Sequence, residues 1–237
     1  MKNNNTSYQR PFLKWAGGKY RLLPRILKAL PNGNKLIEPF VGSGVVFLNT
    51  NYDRYLLTDI NPDLINLFND LKQGKARFID YCAQYFVEGN NLEKRFYELR
   101  NHFNQLEAGW ERSALFLYFN RHGYNGLCRY NQSGGFNVPF GRYKKPYFPA
   151  REMEFFYQKA RKAEFRCQPF LKTMAHSRKG SVIFCLYRIK MAAIITKGYK
   201  KQGVIVFKVV ASLSKAVNFV MNWVVSSRKS TIKLILN

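Results

Sequence analysis

After Glu164 this chain has no acidic residue. The 73 positions from Phe165 to Asn237 hold fourteen Lys and Arg and neither Asp nor Glu. Globular domains carry roughly 25% charged residues of both signs, so several acids belong in a stretch of this length. Their absence excludes carboxylate chemistry from that part of the chain. Cysteine is also sparse. Cys82, Cys128, Cys167 and Cys185 stand far apart and the three histidines are scattered, which leaves no zinc-binding pattern and points to a reducing cytoplasm. Long apolar runs are missing as well. The start, MKNNNTSYQR, is polar with no apolar signal core behind it, and VVASLSKAVNFVMNWVV is interrupted by Lys215, so no membrane span is expected. No internal repeat is present.

What remains is cationic and aromatic. Formal net charge is +25. Residues 1–164 contribute 25 basic minus 14 acidic, or +11, and residues 165–237 contribute +14. Such a balance favours a polyanion, with nucleic acid the first candidate and an anionic membrane surface the second. Twenty Phe and fifteen Tyr suggest stacking surfaces, although AT-rich coding would enrich the same residues. With 237 residues and 46% hydrophobic content, the chain suffices for one α/β domain with an insertion or for two modest domains.

The hydrophobic pattern orders the elements. Leu22, Leu23, Ile26, Leu27 and Leu30 recur at helical spacing, and Pro31 and Gly33 end that helix. KLIEPF predicts a strand over 35–40, followed by a turn over 41–44 and a short helix over 45–48. YLLTDI predicts a strand over 55–60. Asn61 then caps a helix with Pro62 in its first turn. Residues 75–120 read as largely helical, 123–149 as an irregular surface insert, the segment from Arg151 as a helix, and SVIFC (181–185) as a buried strand. Strand, glycine turn, helix, strand and acid, then a helical insert and a further strand, together predict a Rossmann-like α/β sheet.

Four segments carry chemistry. In EPFVGSG, Gly42 and Gly44 permit a tight turn and close approach of a ligand after Phe40. Two glycines rather than three suit a ligand without pyrophosphate, such as S-adenosylmethionine. Asp59 ends the next strand, where an acid can accept hydrogen bonds from ribose hydroxyls; its other role would be a helix cap, which Asn61 already fills. Glu38 and Pro39 lie at the same edge and could line the pocket. KWAGGK sets Trp15 and two glycines between Lys14 and Lys19, a loop that could cradle an anionic group, with core packing the simpler role for Trp15. From Asn120 to Phe148 the chain interleaves Arg, Lys, Asn and Tyr with no acid, a composition that can neutralise phosphates, read base edges and stack on bases.

FLKWAGGK, EPFVGSG, LLTDIN, FLYFNRHGYNGLCRYN and FNVPFGRYKKPYF, in this order, resemble the Dam family of DNA adenine-N6 methyltransferases over about residues 11–185. The resemblance implies methyl transfer from S-adenosyl-L-methionine to N6 of adenine in double-stranded DNA, within GATC, by a cytoplasmic monomer of bacterial or phage origin. Its roles would lie in restriction–modification or in replication and mismatch repair. It implies cofactor contacts from Trp15, Lys19 and Asp59, with residues 40–44, including Phe40, Gly42 and Gly44, around the methionine part. Toward DNA it implies Lys14 at the first base pair of the target and Arg129 reading a guanine. Tyr124, Asn125 and Leu127 fall in the recognition hairpin, Pro139 on a thymine methyl, and Tyr143 and Lys144 at the backbone. The implied division is a methyltransferase part over 1–61 and 150–185, a target-recognition insert over 62–149, and a basic tail over 186–237.

The family's reaction needs D-P-P-Y directly after a strand. The aspartate and a proline carbonyl accept hydrogen bonds from the adenine amine, and the tyrosine stacks on the flipped base. Here SVIFC is followed by Leu186, Tyr187, Arg188 and Ile189, and neither D-P-P-Y nor N-P-P-Y occurs anywhere. Arg188 can only donate hydrogen bonds. The pattern predicts a reading-frame shift at or just after Cys185 and an inactive chain. It also predicts a sheet left incomplete in its C-terminal half, marginal stability, and exposed apolar faces on KLIEPF and SVIFC. The other reading is a non-catalytic DNA-binding remnant.

Overall fold

The computed structural model describes residues 7–177, 181–188 and 202–208. Of the expected tail over 186–237, residues 189–201 and 209–237 lie outside the described residues. Four parallel strands form the sheet: β1 (Lys35–Glu38), β2 (Arg54–Asp59), β3 (Ala163–Cys167) and β4 (Ser181–Arg188). A fifth, β5 (Gln202–Lys208), pairs antiparallel with β4, and the order across the sheet is β3-β2-β1-β4-β5. The chain leaves β1 toward β2 and β3 and returns to the opposite side of β1 as β4. The strand order therefore reverses between β1 and β4, which opens a crevice at their carboxyl ends.

The expected helices are present as α1 (Leu23–Ala29), α2 (Val45–Leu48), α3 (Pro62–Ala83), α4 (Glu93–Phe103), α5 (Trp110–His122) and α6 (Ala150–Ala160). The Asn61 side chain accepts a hydrogen bond from the Leu64 N–H at 3.1 Å, the cap expected of it. At Lys75 the dihedrals leave the helical region (φ 51°, ψ −131°), so α3 bends there.

Three elements are not announced by the hydrophobic pattern: β5, in the tail, β3, and a short helix that follows β3. In β3, Ala163 and Phe165 face inward and Glu164 outward, a period of two too short to stand out beside α6. Helix α7 (Phe170–Met174) has only five residues. The insert also departs from the expectation of a wholly surface segment. Phe136 and Val138 are buried, and isolated bridges join Gly123 to Phe140 and Tyr130 to Phe136.

The core lies mainly on one face of the sheet. Phe12, Phe47, Phe68, Phe156 and Phe165 meet there, with the Phe68 ring centroid 4.8 Å from Phe156 and 5.3 Å from Phe165. The same cluster runs without a break into Phe96, Phe103, Phe119 and Phe136 of the inserted part. On the other face the described core is four residues: Ile37, Leu56, Met174 and Ile183. This corrects the expected exposure of KLIEPF and SVIFC. Leu36, Val182 and Phe184 are buried in the larger core, and Ile37 and Ile183 are buried on the second face, where α7 brings Met174 against them.

Candidate functional site

At the carboxyl edge of β1 and β2 the loops converge. Gly42 has φ +52° and donates its N–H to Asp59 Oδ2 at 3.2 Å. A Cβ on Gly42 would lie 3.0 Å from the Trp15 indole, so the glycine is required both by its dihedral and by the ring packed upon it. Gly44 differs. Its φ of +72° favours glycine, but an added Cβ would find only ordinary contacts at 3.7 Å and beyond, so close approach is not its reason. Asp59 Oδ1 accepts from the Asn61 N–H at 3.2 Å. The carboxylate is thus held by two backbone amides while its side chain stays half-exposed.

Lys19 donates to the Phe40 carbonyl at 3.3 Å. Desolvation pulls its pKa down, against the attraction of Glu38 and Asp59. Glu38 itself is 0% exposed, and neither carboxylate oxygen has a hydrogen-bond partner. Burial raises its pKa to about 7, opposed by the Lys19 charge and by the nearby Phe47 amide. Glu38 therefore sits behind the pocket and does not line it. Trp15, Lys19, Phe40, Gly42 and Asp59 come together as one group. Two residues that the motif reading passes over join them: Ile60, 75% exposed directly after Asp59, and Phe170, whose ring centroid lies 5.7 Å from that of Phe40. No sequence signal marks either: the exposure of Ile60 is a tertiary property, and Phe170 lies in a five-residue helix too short to show a period.

The residues assigned to DNA form a second group beside the first. The Lys14 ammonium stands over the Tyr143 ring, 4.2 Å from its centroid. Burial, then the charge of Arg121, lowers the Lys14 pKa. Asn125 donates its N–H to Tyr143 Oη at 3.0 Å, and Tyr124 donates its N–H to the Pro139 carbonyl at 2.9 Å. Exposed Arg129 is held within its own hairpin, Nε to Asn137 Oδ1 at 2.8 Å and one terminal nitrogen to the Asn137 carbonyl at 3.0 Å. Leu127 is half-buried against the core, and Lys144 is exposed.

Beneath the hairpin lies a buried ionic network. Tyr130 Oη donates to Asp63 Oδ2 at 2.5 Å, and Arg112 Nε donates to Asp63 Oδ1 at 2.6 Å. Asn61 Nδ2 donates to Cys128 Sγ at 3.2 Å. These contacts tie the hairpin to the turn that follows Asp59.

Chemically, a carboxylate at one strand end and an ammonium beside the glycine turn form a donor and acceptor set for a ligand carrying both hydroxyls and a carboxylate. The exposed cations and rings next to it suit a polyanion with stackable bases. A model of the D12 class N6 adenine-specific DNA methyltransferases matches residues 15–185. The chain belongs to that family. The D12 match starts at Trp15 of the glycine loop and closes at Cys185 within β4. Among relatives named "DNA adenine methylase", the Vibrio cholerae protein is 54% identical over 177 residues, covering 75% of this chain and 64% of its own length. The Serratia marcescens protein is 54% identical over 185 residues, covering 78% of this chain and 67% of its own. The Escherichia coli protein is 51% identical over 185 residues, covering 78% and 65%. The match therefore covers less than two thirds of the Vibrio cholerae and Escherichia coli relatives. D12 enzymes depend on S-adenosylmethionine, and the Asp59, Lys19, Trp15 and Gly42 arrangement fits such a group. Among the described residues no helix is long and apolar enough to cross a membrane.

Proposed function

We propose that residues 1–185 descend from an S-adenosylmethionine-dependent methyltransferase acting on N6 of adenine in double-stranded DNA, and that the chain as it stands does not catalyse the transfer. The observation that carries this reading is the end of the family match at Cys185, with Leu186, Tyr187, Arg188 and Ile189 where D-P-P-Y belongs. The backbone supports it. β4 continues to Arg188, pairing Leu186 with Val204 and Arg188 with Gln202, where the reaction calls for a turn that presents a carboxylate into the crevice.

In the ancestral reaction the bound cofactor supplies an electrophilic methyl group. Asp59 would accept from its ribose hydroxyls and Lys19 would balance its carboxylate, while Trp15 packed on Gly42 closes the loop around it. Lys14, Tyr124, Asn125, Leu127, Arg129, Pro139, Tyr143 and Lys144 would hold the duplex, with Arg129 on a guanine of GATC. Leu186, Tyr187, Arg188 and Ile189 offer no carboxylate to accept the hydrogens of the adenine amine at the end of the strand. Its nitrogen lone pair then stays delocalised into the ring, and attack on the methyl group does not proceed. A reading-frame shift near the Cys185 codon accounts for the abrupt change of sequence.

A second reading is favoured by the intact Lys14–Tyr143 and Arg129–Asn137 arrangements: the chain binds DNA without modifying it. Methylation-sensitive cleavage of GATC-containing DNA after incubation with protein and cofactor tests the inactivity common to both readings, and DNA binding separates them. Protection above background would refute inactivity. A mobility shift that weakens steeply with salt, stronger with GATC than without, supports retained binding. Translating the other two frames past the Cys185 codon tests the origin of the tail: D-P-P-Y there supports the shift, and its absence removes that explanation.

A further inference from the structure

Asn120 is 3% exposed at the last turn of α5, and its side-chain amide bonds one distant residue through both its oxygen and its nitrogen. Its Oδ1 accepts the Lys14 N–H at 2.9 Å and its Nδ2 donates to the Lys14 carbonyl at 2.7 Å. The pair closes a loop of 106 residues. The neighbouring Arg121, also buried, donates to the Phe12 carbonyl. Two consecutive residues of α5 thus bind the backbone of the segment that carries both Lys14 and Trp15.

The next residue along that segment belongs to the cofactor loop, because Trp15 packs on Gly42. Lys14 belongs to the hairpin. Gly126 lies against its stem with φ +61°, and a Cβ there would come within 2.4 Å of Lys14 Cβ. The Lys14 ammonium reaches the Tyr143 ring. A single peptide unit is therefore the junction between the two groups, and Asn120 is the side chain that fixes it. A lysine side chain has four rotatable bonds, and holding the backbone fixes the point and direction from which they start.

We propose that Asn120 is a positioning residue for target recognition: by clamping the Lys14 backbone it directs the Lys14 ammonium to one end of the DNA site. This rests on the DNA-binding reading above. A buried asparagine satisfied at one backbone site could act in folding alone, so the decisive quantity is coupling to Lys14.

The test uses the full chain and short duplexes that contain GATC or carry an exchanged outer G·C pair, read by fluorescence anisotropy. Lys14→Ala and Asn120→Ala should each lower the preference for the intact site by about tenfold, the scale of one base contact. The double variant should lose no more than the worse single one. Multiplying losses, or a preference that Asn120→Ala leaves intact, would overturn the proposal. Asn120→Asp keeps the acceptor and loses the donor, so it should fall between wild type and Asn120→Ala. It keeps the question answerable if the alanine variant does not fold. Without DNA, hydrogen exchange at the Lys14 amide should speed up in Asn120→Ala, and unchanged protection would also overturn the clamp. If the unmodified chain binds both duplexes equally while that amide is protected, the DNA-recognition reading itself fails and takes the positioning role with it.

Discussion

Gly42 donates its backbone N–H to the carboxylate of Asp59 at 3.2 Å, so the glycine turn after β1 and the acid ending β2 form one hydrogen-bonded unit. The two residues are 17 positions apart, and neither has this arrangement alone. The turn supplies the close approach and the acid supplies the acceptor. Parallel pairing of Glu38 with Leu57 sets their distance.

Asp59→Ala should therefore weaken S-adenosylmethionine binding between about tenfold and about a hundredfold, as expected for hydrogen bonds to a charged group worth ~1.5–3 kcal/mol. Isothermal titration with the cofactor or its demethylated product checks this. Gly42→Ala should lose binding too, by displacing Trp15, and should destabilise the fold by about 1–3 kcal/mol through its positive φ. Unchanged affinity in both variants would remove this edge from the binding site.

Glu38 gives a pH dependence with a definite sign. Its folded pKa of about 7 lies above the unfolded value of 4.5 because burial disfavours the charge more than Lys19 and the Phe47 amide favour it. The folded state then holds the proton longer than the unfolded state. This contribution is fully present below about 4.5 and is lost as pH rises through about 7. The loss is on the order of 3 kcal/mol. Glu38→Gln should flatten the difference. Urea melts of both proteins at pH 5 and pH 8 should show the variant gaining relative stability at the higher pH, and a parallel response would refute the prediction.

The Asp63–Arg112 pair should be sensitive to loss of one partner. Asp63 is 3% exposed, and Arg112 also donates to the Phe103 and Leu106 carbonyls at 2.8 Å and 2.7 Å. Arg112→Ala leaves a buried carboxylate with only Tyr130 and should cost about 3–5 kcal/mol. Tyr130→Phe removes one hydrogen bond to the same carboxylate and should cost about 1.5–3 kcal/mol. Adding Asp63→Asn to Arg112→Ala should recover part of the loss in thermal melts.

Phe68→Ala should be among the most damaging apolar changes. The ring is fully buried and touches Phe12, Phe156 and Phe165, which link the N-terminal segment, α6 and β3. Truncation should cost about 3–5 kcal/mol in chemical denaturation. A loss below 1 kcal/mol would mean that neighbouring aromatics collapse into the space.

Much of this molecule was readable from local pattern. The turn at Gly42–Gly44, the two strands around it, the Asn61 cap and the helices after it follow from glycine dihedrals, short-range spacing and capping chemistry, although the strands stop at Glu38 and Asp59 rather than at the expected Phe40 and Ile60. These act over a few residues, so the linear order reveals them. Strand β3 and helix α7 escaped because five residues give too few periods to stand out. The burial of Phe136 and Val138 was hidden because a segment rich in Gly, Asn and Arg looks solvated until an aromatic core is placed beneath it.

The sequence by itself determined the family, the order of the motifs and the lack of D-P-P-Y after Cys185, because these are matters of residue identity and spacing. Only the tertiary structure decided that Glu38 is buried behind the pocket, that α7 covers the second face of the sheet, and that Asn120 holds Lys14 across 106 residues. Those outcomes depend on which surfaces the parallel sheet brings together. Desolvation and long-range hydrogen bonding act only on groups that packing has made neighbours.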